Sequence, residues 1–186
     1  MYVICGLGNP GRDYENTRHN MGFMTMDVLA SKLGIAVDKL KFKALLGEGR
    51  IGTEKVILVK PQTFMNLSGE ALRPIMDYYK CPIENLIVVY DDIDIPLGAL
   101  RIRAKGSSGS HNGMKSVIYQ LQNDGFPRVR IGLGASGQIP LISFVIGKPS
   151  KEEQTVLAQT ISDAADACVS IVTDGVSVAM NKFNRK

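Results

Sequence analysis

Leu86-Ile87-Val88-Val89-Tyr90 runs directly into Asp91-Asp92-Ile93-Asp94, and this junction decides the fold class. Five apolar residues in a row, without polar alternation, suit a central strand of a sheet covered on both faces. The carboxylates that follow then fall at the C-terminal edge of that strand, where open α/β sheets carry their sites. Working outward, short apolar runs predict further strands at residues 2–5, 44–51, 55–60, 99–103 and 129–133, with Gly52-Thr53 turning a hairpin between the second and third of these. Helical patterns are predicted over 21–33, 67–80, 113–121 and 151–174, with Asn20 and Asn112 as N-caps of the first and third. The last is marked most clearly. Ser150 and Glu153 form a capping box, Leu157, Ile161, Ala164, Cys168 and Ile171 recur at helical spacing, and Gly175 can end the helix. Pro74 is expected to kink the second helix or delay its start. Together these elements imply an α/β fold: one twisted, mixed β-sheet flanked by helices on both faces, as a single domain over residues 1–186.

Composition is consistent with one core. The 186 residues are 45% hydrophobic and 22% charged, enough to bury one core and too few for two comfortable ones. Cys5, Cys81 and Cys168 are far apart and show no C-x-x-C spacing, which suggests neither a disulfide framework nor a zinc site and points to a reducing cytosol. No basic leader precedes the first apolar run, and no stretch approaches the roughly 20 apolar residues of a membrane span. The expectation is a cytoplasmic protein without a membrane anchor. A net charge of +4 favours a phosphate-bearing partner without deciding for one.

Gly6-Leu7-Gly8-Asn9-Pro10-Gly11 matches the dinucleotide-binding pattern G-x-G-x-x-G, but that fingerprint needs a helix to start within the glycines. Pro10-Gly11 is a turn signal instead, and no helical pattern appears before Met21. The long polar loop that results contains His19. A lone histidine usually just satisfies a backbone carbonyl; here a neighbouring acid at the end of strand 86–90 would fix its tautomer and stabilise the imidazolium. Asp92 and Asp94 read best as turn formers before Pro96, with magnesium binding as the other reading. No G-x-S-x-G elbow and no cysteine beside a histidine occurs, so water is the expected nucleophile.

Two segments read as substrate-facing. Gly106-Ser107-Ser108-Gly109-Ser110-His111-Asn112-Gly113 is a small-residue loop entering a helix, either a mobile connection or a cradle of N–H groups for a phosphate or carbonyl. Arg101, Arg103 and Lys105 alternate on one strand, as do Arg128 and Arg130 on another, which makes a solvated face or a phosphate clamp. Asn66, in a further loop entering a helix, is a turn residue or an amide for water or a substrate carbonyl.

Taken together, Gly8-Asn9-Pro10-Gly11 through Tyr14 to Thr17-Arg18-His19-Asn20, Thr63-Phe64-Met65-Asn66-Leu67-Ser68-Gly69, Asp91-Asp92-Ile93-Asp94, Ser110-His111-Asn112-Gly113 and Arg130-Ile131-Gly132 resemble the bacterial peptidyl-tRNA hydrolase family across essentially the whole chain. The resemblance implies a monomeric α/β hydrolase without metal or cofactor. It would cleave the ester between a peptide and the 3'-terminal ribose of tRNA, recycling tRNA from prematurely released peptidyl-tRNA. It places the catalytic base at His19, its carboxylate partner at Asp91 and substrate-orienting amides at Asn9, Asn66 and Asn112. Tyr14 and Met65 would line the same crevice, and Arg103 with Arg130 would clamp the acceptor-stem phosphates. In the expected mechanism Asn66 or Asn9 orients the water, and the Asn112 amide or a nearby backbone N–H receives the oxyanion. His19 lies just before the start of the helix at 21–33, whose positive end disfavours imidazolium, and if it titrates near the ordinary value of about 6.5 the rate should fall on the acid limb. Two departures from the family pattern are the glycine-poor Ser107-Ser108-Gly109-Ser110 and Pro74. The rival readings are an RNA-binding module of the same fold without hydrolysis, and a nucleotide-dependent enzyme using the first glycine motif.

Overall fold

In the computed structural model, which describes residues 1–184, the strands are β1 (Tyr2–Gly6), β2 (Lys39–Lys41), β3 (Ala44–Ile51), β4 (Glu54–Pro61), β5 (Leu86–Asp92), β6 (Leu100–Arg103) and β7 (Arg128–Gly132). They form one seven-stranded sheet in the order β2-β3-β4-β1-β5-β7-β6. β4, β1, β5 and β7 run parallel, while β3 and β2 on one side and β6 on the other are antiparallel to their neighbours. The helices are α1 (Met21–Leu33), α2 (Ser68–Tyr79), α3 (Asn112–Leu121), α4 (Leu141–Val145), α5 (Lys151–Asp174) and α6 (Val176–Phe183). The period of two sends Ile87 and Val89 into the layer with α1, α5 and α6, and Val88 and Tyr90 into the layer with α2 and α3. This double burial is why β5 has no polar position before Asp91.

The capping box of α5 is present as expected, and Gly175 closes the helix at φ 92°. Leu157, Ile161 and Ile171 are buried, each contributing about 1.5–3 kcal/mol. This 24-residue helix has the length and composition of a membrane span, with a best window of mean hydropathy 1.2, contrary to the expectation that no segment approaches one. Over half of that window (56%) is buried inside the protein, as befits a core helix.

Several expectations are corrected. α2 starts at Ser68 and runs through Pro74, so the proline does not delay its start. Its neighbours Leu72, Ile75 and Met76 are buried in the second layer, and packing of that face holds the helix across the missing N–H. Asn112 is the first residue of α3 and not its cap: the cap is His111, whose imidazole accepts from the Met114 N–H. Asn20 precedes α1 but makes no capping bond, because its amide is spent on Asn9. The pattern missed β2, too short to alternate, and α6, which is separated from α5 only by Gly175. The α6 end matters to the sheet. The Asn184 amide both donates to and accepts from the Ile102 backbone, closing part of the exposed β6 edge.

Candidate active site

The loop after β1 reaches the end of β5 because two glycines let α1 sit directly on the sheet. A Cβ on Gly6 would lie 2.1 Å from the Gly22 carbonyl oxygen, and one on Gly22 would lie 2.4 Å from the Leu7 nitrogen. Leu7 N–H donates to the Val89 carbonyl at 3.0 Å, which locks this approach. Gly6 and Gly8 of the apparent dinucleotide motif therefore serve contact with α1, while Gly11 takes a positive φ in the turn, and helical structure begins only in a 3-10 turn over Arg18–Asn20. That turn delivers His19 to Asp91.

Asp91 is 2% exposed and each of its oxygens takes one imidazole: His19 Nδ1 at 2.8 Å and His111 Nε2 at 3.3 Å. The bonds assign both tautomers. His111 Nδ1 accepts from Met114 N–H at 3.2 Å, so its proton is on Nε2 and both ring nitrogens are committed. His19 donates through Nδ1, and its Nε2 has no partner among the described residues. Only His19 therefore offers a lone pair. The His111 ring is further fixed by His19 at 4.8 Å and Tyr90 at 4.9 Å between centroids.

Electrostatics follow from this pairing. Burial of the His19 ring works against its charged form, but the charge and hydrogen bond of Asp91 override it, and its pKa rises above the ordinary 6.5. The rise runs opposite to the effect expected from the helix N-terminus beside the ring. For Asp91, burial alone would favour the neutral acid; the two histidines win and hold its pKa well below the usual carboxylate range.

Among the described residues, His19, Asp91 and His111 bring ligand-type atoms within 4.8 Å of one another. They do not suit a cation. A metal on His111 Nε2 would force the ring proton onto Nδ1, where it would face the Met114 N–H donor. The 2.8 Å His19–Asp91 contact is also shorter than the about 3.3 Å separating two ligands on a tetrahedral ion with bonds near 2.0 Å.

His19 and Asp91 open onto a cavity of about 280 Å³. Its floor is the end of β5 with Ile93 and Asp94; one wall is the 107–112 loop with Arg130, and the other is Leu141, Ile142 and Val145 from α4. Asp92 accepts from the Asp94 N–H, the turn that the sequence suggested, and its other oxygen pairs with Arg130 at 3.2 Å.

The three predicted amides do not converge. Asn112 lines the His19 cavity and also a shallow groove beside α3, which it shares with Asn66. Asn66 is exposed in that groove and does not line the cavity. Asn9 lines a separate groove with Phe23, Lys60 and Gln62 and acts as a joint: its backbone pairs with the Asn20 side chain, and its Oδ1 accepts from Met65 N–H at 2.7 Å. Met65 is buried against Gly113, while Tyr14 sets its ring edge on Phe64, 6.2 Å between centroids. Neither lines the His19 cavity.

The arginine rows share one sheet face, since Arg101 opposes Arg130 and Arg103 opposes Arg128 in the β6–β7 register. Their fates differ. Arg128 is buried and bonds the carbonyls of Gly106, Ser107, Asp124 and Phe126, so it anchors the small-residue loop and is withdrawn from any clamp. Arg103 is exposed, and its guanidinium donates to the Ile102 carbonyl. Sequence reasoning missed His111 and Arg128. A fully buried carboxylate needs donors on both oxygens, and that requirement was the available signal for the second imidazole.

The model of the peptidyl-tRNA hydrolase family matches residues 3–186. The chain belongs to that family. It is 56% identical over 184 residues to a peptidyl-tRNA hydrolase of Caldanaerobacter subterraneus subsp. tengcongensis, covering 99% of this chain and 100% of the relative. It is 58% identical to one of Alkaliphilus metalliredigens with the same coverage. The crystal structure of peptidyl-tRNA hydrolase from Acinetobacter baumannii superposes with a TM-score of 0.95 at 34% identity, covering 100% of this chain and 95% of that one.

Proposed function

We propose that the chain hydrolyses the ester joining a peptide, or an N-blocked aminoacyl group, to the 3'-terminal ribose of tRNA, with His19 as general base and water as nucleophile. The observation that carries this assignment is the contrast between the two histidines: both lean on Asp91, and only His19 keeps an unpartnered nitrogen. His19 Nε2 removes a proton from water as its oxygen attacks the ester carbonyl. Asp91 stays ionised and stabilises the imidazolium. The tetrahedral oxyanion takes hydrogen bonds from the Asn112 amide or an N–H at the mouth of the 107–112 loop, both on the lining of this cavity. Collapse expels the ribose oxygen, which recovers the proton from Nε2.

Because only Asn112 of the three amides lines the cavity, we assign substrate contact there, while Asn9 shapes the site through Met65 and Asn20. Asn66, one groove away, suits a more distant part of the substrate. Arg130 and Arg103 would contact acceptor-stem phosphates; Arg130 comes with a resident carboxylate, Asp92, that a phosphate must displace or share. All proposed groups lie on one chain, so a monomer suffices, and no step calls for a metal or cofactor. The test is release of free tRNA from an N-acetyl-aminoacyl-tRNA, with the free-amino aminoacyl-tRNA as control, for the parent and His19→Ala proteins. Cleavage of the blocked ester alone, slowed about 10²- to 10⁴-fold in the variant, is expected. Cleavage at parental speed by the variant would remove His19 from the mechanism.

A further inference from the structure

The residue before the catalytic histidine has a task of its own. The Arg18 backbone N–H donates to the Gly147 carbonyl at 3.0 Å, and its Nη1 donates to the Phe144 carbonyl at 3.1 Å. The guanidinium lies over the Phe144 ring with its carbon 4.2 Å from the centroid, and Nη2 reaches Glu153 at 3.1 Å. Glu153 Oε1 also accepts the Ser150 N–H, so the same oxygen closes the α5 capping box. One side chain, 13% exposed, thus ties together the turn carrying His19, the short helix α4 and the start of α5.

Apolar packing supplies a further hold on α4. Phe144 and Val145 sit in the core, but Ile142 is 71% exposed, and together with Leu141 and Val145 it forms the apolar wall of the His19 cavity. Stability alone does not explain an arginine here. The Nε of Arg18 is buried without a partner among the described residues, and a buried charge pair is often no more stabilising than apolar packing of the same volume. A planar fork that stacks on a ring while donating to a carbonyl and a carboxylate does fix geometry, which a lysine cannot reproduce.

We propose that Arg18 is a positioning residue for substrate: it sets how closely the α4 wall stands over His19, and so governs substrate affinity without entering proton transfer. This rests on the assignment of the cavity above.

The test uses the full chain and N-acetyl-aminoacyl-tRNA. Arg18→Met should raise KM by about 5- to 20-fold, the scale of losing charge-assisted hydrogen bonds, with kcat within about threefold of the parent. The acid limb of the rate should stay in place, because His19–Asp91 is untouched. Phe144→Leu, which removes only the ring, and Glu153→Gln, which keeps the capping box but loses the charge, should raise KM in the same direction by about 2- to 5-fold. Hydrogen exchange at the Phe144, Ile146 and Gly147 amides should quicken in Arg18→Met while Val88 and Val89 stay protected. If Arg18→Met does not fold, the two milder variants carry the test. An unchanged KM in folded variants would overturn the proposal, as would a fall in kcat with a displaced acid limb, which would mean that Arg18 acts through His19. If the parent protein fails to cleave the ester, the functional reading fails instead, and the exchange measurement still decides whether Arg18 holds α4.

Discussion

The two sides of the cavity are built on opposite principles. On the β5 side, Asp91 is buried and both of its oxygens are matched, and the second histidine is pinned at both nitrogens. On the α4 side, the wall is a five-residue helix with exposed isoleucine and leucine, seated by Phe144 and Val145 in the core and bonded by Arg18. The contrast separates two demands. Proton transfer needs a base fixed to a fraction of an ångström, which a satisfied buried network supplies. A substrate with a variable peptide needs a surface that adapts, which apolar contact without directional bonds supplies.

The strongest way to break this comparison is on the rigid side. His19→Ala should lower kcat by about 10²- to 10⁴-fold with KM little changed, the usual worth of a positioned base; single-turnover kinetics would show it. Asp91→Asn should cost nearly as much and also lower the acid limb. In the parent, the raised His19 pKa keeps the ring protonated to higher pH, so kcat/KM should fall as pH drops through a value above 6.5. Without the carboxylate the limb should move to lower pH, and a stationary limb would mean that His19 titration does not control the rate.

The same attraction appears in stability, with signs that can be checked. The raised His19 pKa contributes stability that is fully present below about 6.5 and is lost as pH rises through its folded value. The depressed Asp91 pKa contributes stability above about 3.9, lost as pH falls through its folded value. The His19–Asp91 attraction enters both shifts and must not be counted twice. A urea midpoint that is flat across pH 5 to 8 in the parent would contradict the coupling.

Smaller effects sharpen the picture. Arg128→Met should destabilise by about 2–4 kcal/mol in urea unfolding, because four carbonyls lose their shared donor. His111→Gln should reduce kcat by about tenfold, since Asp91 keeps its bond to His19 while losing its second donor. Least dramatic, Arg103→Gln and Arg130→Gln should each lower the salt slope of tRNA binding by about 0.7 to 0.9. An unchanged slope for Arg130→Gln would mean that Asp92 retains it in the complex.

Much of the frame was legible because local signals agreed with the tertiary result. The ends of α1 and α5 fall where the apolar periodicity and, for α5, the Gly175 stop put them. β5 was legible from its unbroken apolar run, and the pairing of His19 with Asp91 from the placement of an acid at its end. His111 escaped notice because an imidazole is an unusual helix cap, and the neighbouring Asn112 is the conventional choice. The arginine rows misled for another reason: alternation reports which face a side chain takes, and says nothing of how far along that face the cover extends. Arg128 lies under the 106–107 backbone and Arg103 lies beyond it.

What this chain determines residue by residue is its alternating strands and helices, the position of an acid at the end of the central strand, and one histidine in a polar loop. Those depend on short-range periodicity and on turn chemistry, which operate within a few residues. Three-dimensional packing decided the rest: which imidazole keeps its lone pair, which arginine is withdrawn into the structure, and that Arg18 reaches Glu153 across 135 positions of sequence. Such contacts depend on close approach between distant segments, here made possible at Gly6 and Gly22, and no local pattern encodes the distance between two surfaces.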